Sequence, residues 1–219
     1  MSIARRLFSL SLLVIAALVL AATPALATSV EVTDPESVHC PDLSFSGDDV
    51  SGGCEAHLVS DGEIEFGLLA FQTYLDVDAC DVEATLWTDE NGAVAVTDVT
   101  MSNCDTTRSN VDTIPCPDAT AHSAVPNNGE IPWRSSAPAE EAAADSISIP
   151  LAICYVWVDD QTGVPVTGFD CEGGTVLTMS TGATPYSVTA VKTDLLGTSG
   201  CYVDGTWSLE GEPFTITHL

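Results

Sequence analysis

Apolar and polar residues alternate with a period of two along most of the chain. In Glu63-Ile64-Glu65-Phe66-Gly67-Leu68 the alternation places Ile64, Phe66 and Leu68 on one face of a strand. Residues 55–60 precede it across Asp61-Gly62, a pair that predicts a tight hairpin turn. Residues 82–88 and 93–101 flank Asp89-Glu90-Asn91-Gly92 and predict a second hairpin, with glycine where a positive φ is needed. Residues 153–158 are apolar at every position until Asp159, as in a central strand covered on both faces. Pro150 has no N–H to give a ladder, so that strand is expected to begin after it. Residues 164–169, 175–180 and 186–192 read as three further short strands. Near the end, Val203, Gly205, Trp207 and Leu209 fall on one side, and Tyr202, Asp204, Thr206 and Ser208 on the other. Phe214, Ile216 and His218 give a last alternation. About ten short strands, with turns about every 8–12 residues, predict an all-β fold, an antiparallel β-sandwich.

Residues 118–145 break the pattern. They hold Pro126, Pro132, Pro138 and the Asn127-Asn128-Gly129 turn. Pro138-Ala139-Glu140-Glu141-Ala142-Ala143-Ala144 suits a short helix with proline near its first position, although so short a helix has little stability of its own. The stretch 118–146 therefore reads as a loop or linker between a first β unit, 28–117, and a second, 147–219. The two units are expected to pack as one sandwich.

The first 27 residues are of another kind. A basic start with Arg5 and Arg6 leads into a run of Leu, Val, Ala and Ile, then Pro24 and Ala25-Leu26-Ala27. Small residues three and one before the cut fit a signal peptidase, so residues 1–27 read as a secretory signal peptide and the mature chain is expected to start near Thr28. The apolar run is about 16 residues, short of the ~20 that span a bilayer. Arg5-Arg6-Leu7-Phe8 partly matches a twin-arginine signal, but Ser9 stands where Leu is usual, and the high apolarity favours the general secretory route. The expected location is secreted and extracellular, with no membrane association after cleavage.

Charge narrows the partners. The chain has 5 Lys+Arg against 32 Asp+Glu, a formal net charge of −27. No acid lies in the signal segment, so Arg108, Arg134 and Lys192 alone face all 32 acids in the mature protein. Nucleic acid and anionic membranes need clustered Lys and Arg and are excluded as electrostatic partners. What remains is an unknown extracellular partner. So acidic a surface stays hydrated and suits high salt.

Eight cysteines, Cys40, Cys54, Cys80, Cys104, Cys116, Cys154, Cys171 and Cys201, form an even set and predict disulfides and an oxidising compartment. Cys40 and Cys54 bracket a Gly/Asp-rich loop, and Cys154 and Cys171 bracket the turn after Asp159 in the same way. Cys80 and Cys104 flank the Asn91-Gly92 hairpin, which leaves Cys116 with Cys201. The alternative is Cys80–Cys116 with Cys104–Cys201. There is no Cys-x-x-Cys pair, so the set does not read as a zinc site.

Val50-Ser51-Gly52-Gly53-Cys54, the mid-chain pair Cys104 and Cys116, and Gly205-Thr206-Trp207 resemble a loose group of small secreted cysteine-containing β proteins of Gram-positive bacteria. The resemblance spans most of the mature chain. It implies the β fold and the extracellular location, and no activity.

Candidate chemistry is sparse. His39 and His57, with Glu55, come near each other if Cys40 pairs with Cys54, but their spacing fits no zinc pattern and they read as surface groups; His122 and His218 stand apart. The densest acidic run is Asp76-Val77-Asp78-Ala79-Cys80-Asp81-Val82-Glu83. On a regular strand Asp76 and Asp78 share a face, which suits either one Ca²⁺ or a solvated, edge-protecting surface. The run lacks the loop of an EF-hand. Asp48-Asp49 and Asp159-Asp160 are turn pairs. Gly197-Thr198-Ser199-Gly200-Cys201 fails the last position of a nucleophile elbow, and no spacing singles out two carboxylates for glycoside hydrolysis. No catalytic residue, metal ligand or cofactor is therefore assigned. Trp87, Trp157 and Trp207 read as core. Trp133, beside Arg134, either folds onto the sheet or meets a partner. The expected function is a secreted, acidic, non-catalytic β-sandwich acting as a binding, surface-associated or structural module. A secreted hydrolase and a calcium-dependent adhesion or carbohydrate-binding module are the alternatives.

Overall fold

The computed structural model describes residues 29–36, 38–70, 72–106, 110–116, 131–195, 200–211 and 214–219. Residues 1–27, expected to be a signal peptide, together with His122, the expected Asn127-Asn128-Gly129 turn and Ser199, lie outside them. The described residues form strands and no helix: β1 Val30–Thr33, β2 Ser44–Ser46, β3 Asp49–Ser51, β4 Cys54–Ser60, β5 Ile64–Ala70, β6 Thr73–Thr88, β7 Val94–Thr106, β8 Val111–Pro115, β9 Trp133–Arg134, β10 Glu140–Ala143, β11 Ser146–Asp159, β12 Pro165–Ser180, β13 Ser187–Asp194, β14 Cys201–Glu210 and β15 Thr215–His218. All pairings are antiparallel.

Eleven of the strands form one sheet, with path β10-β11-β12-β13-β14-β4-β6-β7-β9; β5 also joins β14 to β6, and β8 joins β11. The path returns on itself, because Ser135, just after β9, bridges Leu151 on β11. Leu58, Val82, Val96, Trp133, Leu177 and Trp207, from six different strands, surround a void of about 30 Å³. The antiparallel, disulfide-stapled all-β fold expected from the alternation is what forms. Strands from both sides of the 118–146 stretch share its sheet, since β14 pairs with β4 and β5. Two small sheets flank it, β1 with β15 and β2 with β3.

Four local expectations need correction. Asp61-Gly62 is not a hairpin turn. β4 and β5 run on in one direction, and each pairs with β14 on one side and β6 on the other. Ser60 lies opposite Trp207 and Glu65 opposite Asp204, so the extra residues bulge out at Asp61-Gly62, where Gly62 has φ 87°. The Asp89–Gly92 turn does form the expected hairpin, with Thr88 opposite Val94. Secondly, β11 does not start after Pro150 but runs through it. The Pro150 carbonyl accepts from Ser136 N–H (3.1 Å). The proline nitrogen shares that edge, away from the β12 ladder, so no β12 bond is lost. Thirdly, the strands expected at 164–169 and 175–180 merge into one 16-residue strand, β12, which starts at Pro165. Finally, the expected helix at 138–144 is strand β10, with Glu140 opposite Ser148 and Glu141 opposite Ile147. A ladder partner overrides weak local helix propensity.

The disulfides are Cys40–Cys54, Cys80–Cys104, Cys116–Cys154 and Cys171–Cys201, and no cysteine is free. The first two are as expected. The pairings Cys154–Cys171 and Cys116–Cys201 are overturned, as is the alternative Cys80–Cys116 with Cys104–Cys201. The ladder gives the reason. Cys154 lies opposite Glu172, and Cys171 lies opposite Tyr155. Residues opposite each other share a face and neighbours along a strand do not, so Cys154 and Cys171 point away from each other. Cys154 meets Cys116 in a small cluster with Val156 and Val158, while Cys171 meets Cys201 in the main core. β11 is thus buried on both faces, as its unbroken apolar run predicts.

Candidate binding groove

Within the acidic run that suggested calcium, Asp78 does not lie on a solvated face. Asp78 is 1% exposed and accepts a hydrogen bond from the Thr113 hydroxyl, which ties β6 to β8. Gly67 lies opposite Asp76 and Phe66 opposite Asp78, so one extra residue on β6 breaks the alternation on which a shared face depended. Asp81 accepts from Asn103 Nδ2 at 2.8 Å. The side chain of Asp76 lies outside the described residues.

The histidines also separate. His39 Nδ1 lies 3.2 Å from Glu31 and 3.6 Å from Glu90, whereas His57 Nδ1 lies 3.2 Å from Glu210. Glu55 and His57 share the exposed side of β4 without His39 joining them in a ligand cluster. Among the described residues, ligand-type atoms converge only at Cys80, Cys104 and Asp112, and both sulfurs there are tied in one disulfide, which holds no thiolate.

The aromatic residues settle mostly into the core. Trp157 and Trp207 are buried, and Trp133 is 5% exposed in β9, so its ring folds onto the sheet. Trp87 differs from the expectation: it is half-buried and donates from Nε1 to Thr97 Oγ1 (3.0 Å). Arg134 clamps the β2–β3 hairpin, with Nη2 donating to the Gly47 carbonyl (2.9 Å) and the guanidinium 4.1 Å over the Phe45 ring. Tyr155 is wholly buried. Its hydroxyl lies 2.9 Å from the Tyr202 carbonyl and 3.2 Å from that of Gly67, and burial holds its phenol far above the ordinary range. The Tyr202 ring fills the space where a side chain at residue 67 would stand, since a Cβ there would come within 2.4 Å of it.

One concavity is built differently. Pro35, Thr184, Tyr186, Gly211, Phe214 and Thr215 line a groove of about 250 Å³. Pro35, Phe214 and Thr215 belong to the β1–β15 pair and its flanks. Thr184, Tyr186 and Gly211 belong to the ends of β12, β13 and β14. The groove is therefore the seam between the small sheet and the large one. Phe214 is 3% exposed, and its ring packs on Tyr186 with centroids 5.8 Å apart and planes 33° apart. That contact fixes the ring of the half-buried tyrosine from behind. Thr184 and Thr215 are exposed, and among the described residues nothing hydrogen-bonds their hydroxyls or that of Tyr186.

A second contact holds the seam together. His218, on β15, places Nε2 3.2 Å from Thr181 Oγ1 and Nδ1 3.8 Å from Glu141 on β10. The order hydroxyl, imidazole, carboxylate is that of a nucleophilic relay. However, the Nδ1–carboxylate distance exceeds hydrogen-bond reach. The N–H groups of Thr181 and Gly182 are both spent on the Asp145 carbonyl (2.7 and 3.2 Å), which leaves neither to stabilise an oxyanion. The cluster acts as a tether between the two sheets.

Sequence reading alone did not find the groove, because its residues come from three separate segments. Only the alternation at Phe214 hinted that the C-terminal strand packs inward. The chain matches no known protein family, no curated protein and no solved structure.

Proposed function

We propose that the chain is a secreted, acidic, non-catalytic β protein that works as an extracellular binding module, with the seam between the β1–β15 sheet and the large sheet as the ligand site. The observation that carries this reading is the groove itself: a fixed aromatic ring and three hydroxyls without a hydrogen-bond partner among the described residues, around about 250 Å³ of space. Four disulfides suit an oxidising, extracellular setting, and the basic, apolar and small-residue order of residues 1–27 suits export to it. The resemblance to small secreted proteins of Gram-positive bacteria points the same way. A hydrolase reading has the Thr181–His218–Glu141 contact in its favour, but its geometry supports a tether better. The calcium reading loses its main support with Asp78 buried against Thr113.

The test is a fragment screen by NMR on the mature protein. Perturbations should gather on Thr184, Tyr186 and Thr215, and Tyr186→Ala should abolish them without unfolding the chain. A screen whose hits all map elsewhere would refute the assignment.

A further inference from the structure

The chemistry of the groove points to one ligand class, and we infer that it is a subsite for a single neutral pyranose ring. This inference rests on the binding reading above. Its first support is size: about 250 Å³ accommodates one ring and its substituents.

The second support is the lining. Tyr186 is held by Phe214, itself almost wholly buried, so the exposed part of the tyrosine is a platform of fixed orientation. The axial C–H face of a pyranose is apolar and packs on such a ring, while its equatorial hydroxyls point sideways. Thr184 and Thr215 line the same groove as Tyr186, one from each wall of the seam. Each hydroxyl donates one hydrogen bond and accepts others, which matches the mixed donor and acceptor character of sugar hydroxyls.

The third support is charge. The chain bears 32 acids, yet among the described residues no charged side chain lines the groove. A cation meets no charged partner among these lining residues. An anionic sugar would meet the repulsion of the whole molecule, whose formal net charge is −27. An uncharged ligand suffers neither effect.

The fourth support is preorganisation. The two walls are tied to each other by the fold itself, because His218 on β15 lies 3.2 Å from Thr181 and approaches Glu141. A preformed site avoids the ordering cost that weak ligands cannot offset.

The experiment is a ¹H–¹⁵N NMR titration of the mature, oxidised protein with methyl glucoside, methyl galactoside, methyl N-acetylglucosaminide and, as the anionic control, glucuronate. At least one neutral glycoside is expected to shift residues 184–186 and 214–215 in a saturable way, with glucuronate weaker. Tyr186→Ala should weaken that binding about tenfold or more, while Tyr186→Phe keeps the platform and should lose less. Thr184→Val and Thr215→Val, which keep volume and delete a hydroxyl, should each weaken binding several-fold at unchanged melting temperature. If no neutral glycoside shifts these residues but a proline-rich peptide or another fragment does, the saccharide inference is overturned and the binding reading survives. If nothing in a fragment library perturbs the groove, both fail.

Discussion

Tyr155 lies directly opposite Cys171 in the β11–β12 ladder, so Cys171 shares its face with Tyr155 and not with the adjacent Cys154. That one-residue offset decides the disulfide map. It sends Cys154 to Cys116 (Cα–Cα 5.4 Å) and Cys171 to Cys201 (Cα–Cα 5.9 Å). Non-reducing peptide mapping should recover these two bridges together with Cys40–Cys54 and Cys80–Cys104. The double substitution Cys171→Ala/Cys201→Ala should cost about 3–4 kcal/mol in a chain-entropy treatment. Denaturant unfolding of the oxidised protein measures that loss. A peptide containing Cys154 linked to Cys171 would contradict the ladder register itself.

Asp78 and Thr113 form the second test of the interior. A carboxyl so buried needs its hydrogen-bond partner, and the Thr113 hydroxyl supplies one from β8. Thr113→Val keeps the volume and removes the donor, and should destabilise the fold by about 1–3 kcal/mol. Asp78→Asn keeps an acceptor and should cost less. Asp78→Lys, harmless on a solvated strand face, should cost several kcal/mol because it places an unpaired charge in the core. Chemical denaturation of the three variants orders them. A wild-type-like Asp78→Lys would mean that the strand presents its other face.

The turn after β11 gives a pH prediction. The Asp159 carboxylate accepts from Thr162 Oγ1 (2.7 Å), Thr162 N (2.9 Å) and Gln161 N (3.2 Å). These bonds, led by the Thr162 hydroxyl, hold its pKa below the ordinary aspartate value. A carboxyl whose folded pKa is depressed contributes stability that is present above the unfolded pKa and fades as pH falls through the folded one. The turn should therefore loosen only in acid, below the usual aspartate range. A ¹³C-detected titration should show Asp159 protonating after the other exposed aspartates, and Thr162→Ala should raise its pKa. An Asp159 that titrates with the bulk would show that the turn is not held by its carboxylate.

How much of this was legible in sequence follows from what each signal measures. Period-two alternation reports one buried face, so it located β4, β5, β7 and β14 and the strictly apolar centre of β11. It does not report which strand lies alongside. Asp61-Gly62 carries the composition of a hairpin turn, and only the shared neighbours β14 and β6 make it a bulge. The same blindness misassigned Cys154, because closeness along a loop was taken for closeness in space while the ladder put the two cysteines on opposite faces. Residues 140–143 have helical composition and became a strand because β11 offered a free edge. The groove joins Pro35, Thr184 and Tyr186, and Gly211, Phe214 and Thr215, and its chemistry exists only once β15 has paired with β1.

The last prediction concerns salt. Within residues 28–219, Arg108, Arg134 and Lys192 face 32 acids. Of the three, Arg134 lies over the Phe45 ring and donates to the Gly47 carbonyl. Other attraction comes from exposed histidine contacts such as His39 with Glu31 and Glu90, and exposed pairs of that kind contribute little. Folding brings all of these acids closer together, so like-charge repulsion opposes it. Screening shortens the reach of that repulsion from about 30 Å at 0.01 M salt to about 3 Å at 1 M. The melting temperature should therefore rise from dilute buffer to molar NaCl, and each 1 kcal/mol relieved should appear as about 2–4 °C for a chain of this size. Calcium separates screening from site binding. With Asp78 buried against Thr113, millimolar Ca²⁺ at fixed high ionic strength should add nothing beyond NaCl. A specific ion site would instead stabilise by mass action, by about 2.7 kcal/mol at a hundredfold excess over its dissociation constant. A melt indifferent to NaCl would remove repulsion as a determinant of stability, and a large calcium-specific shift would return the acidic run to consideration as a metal site.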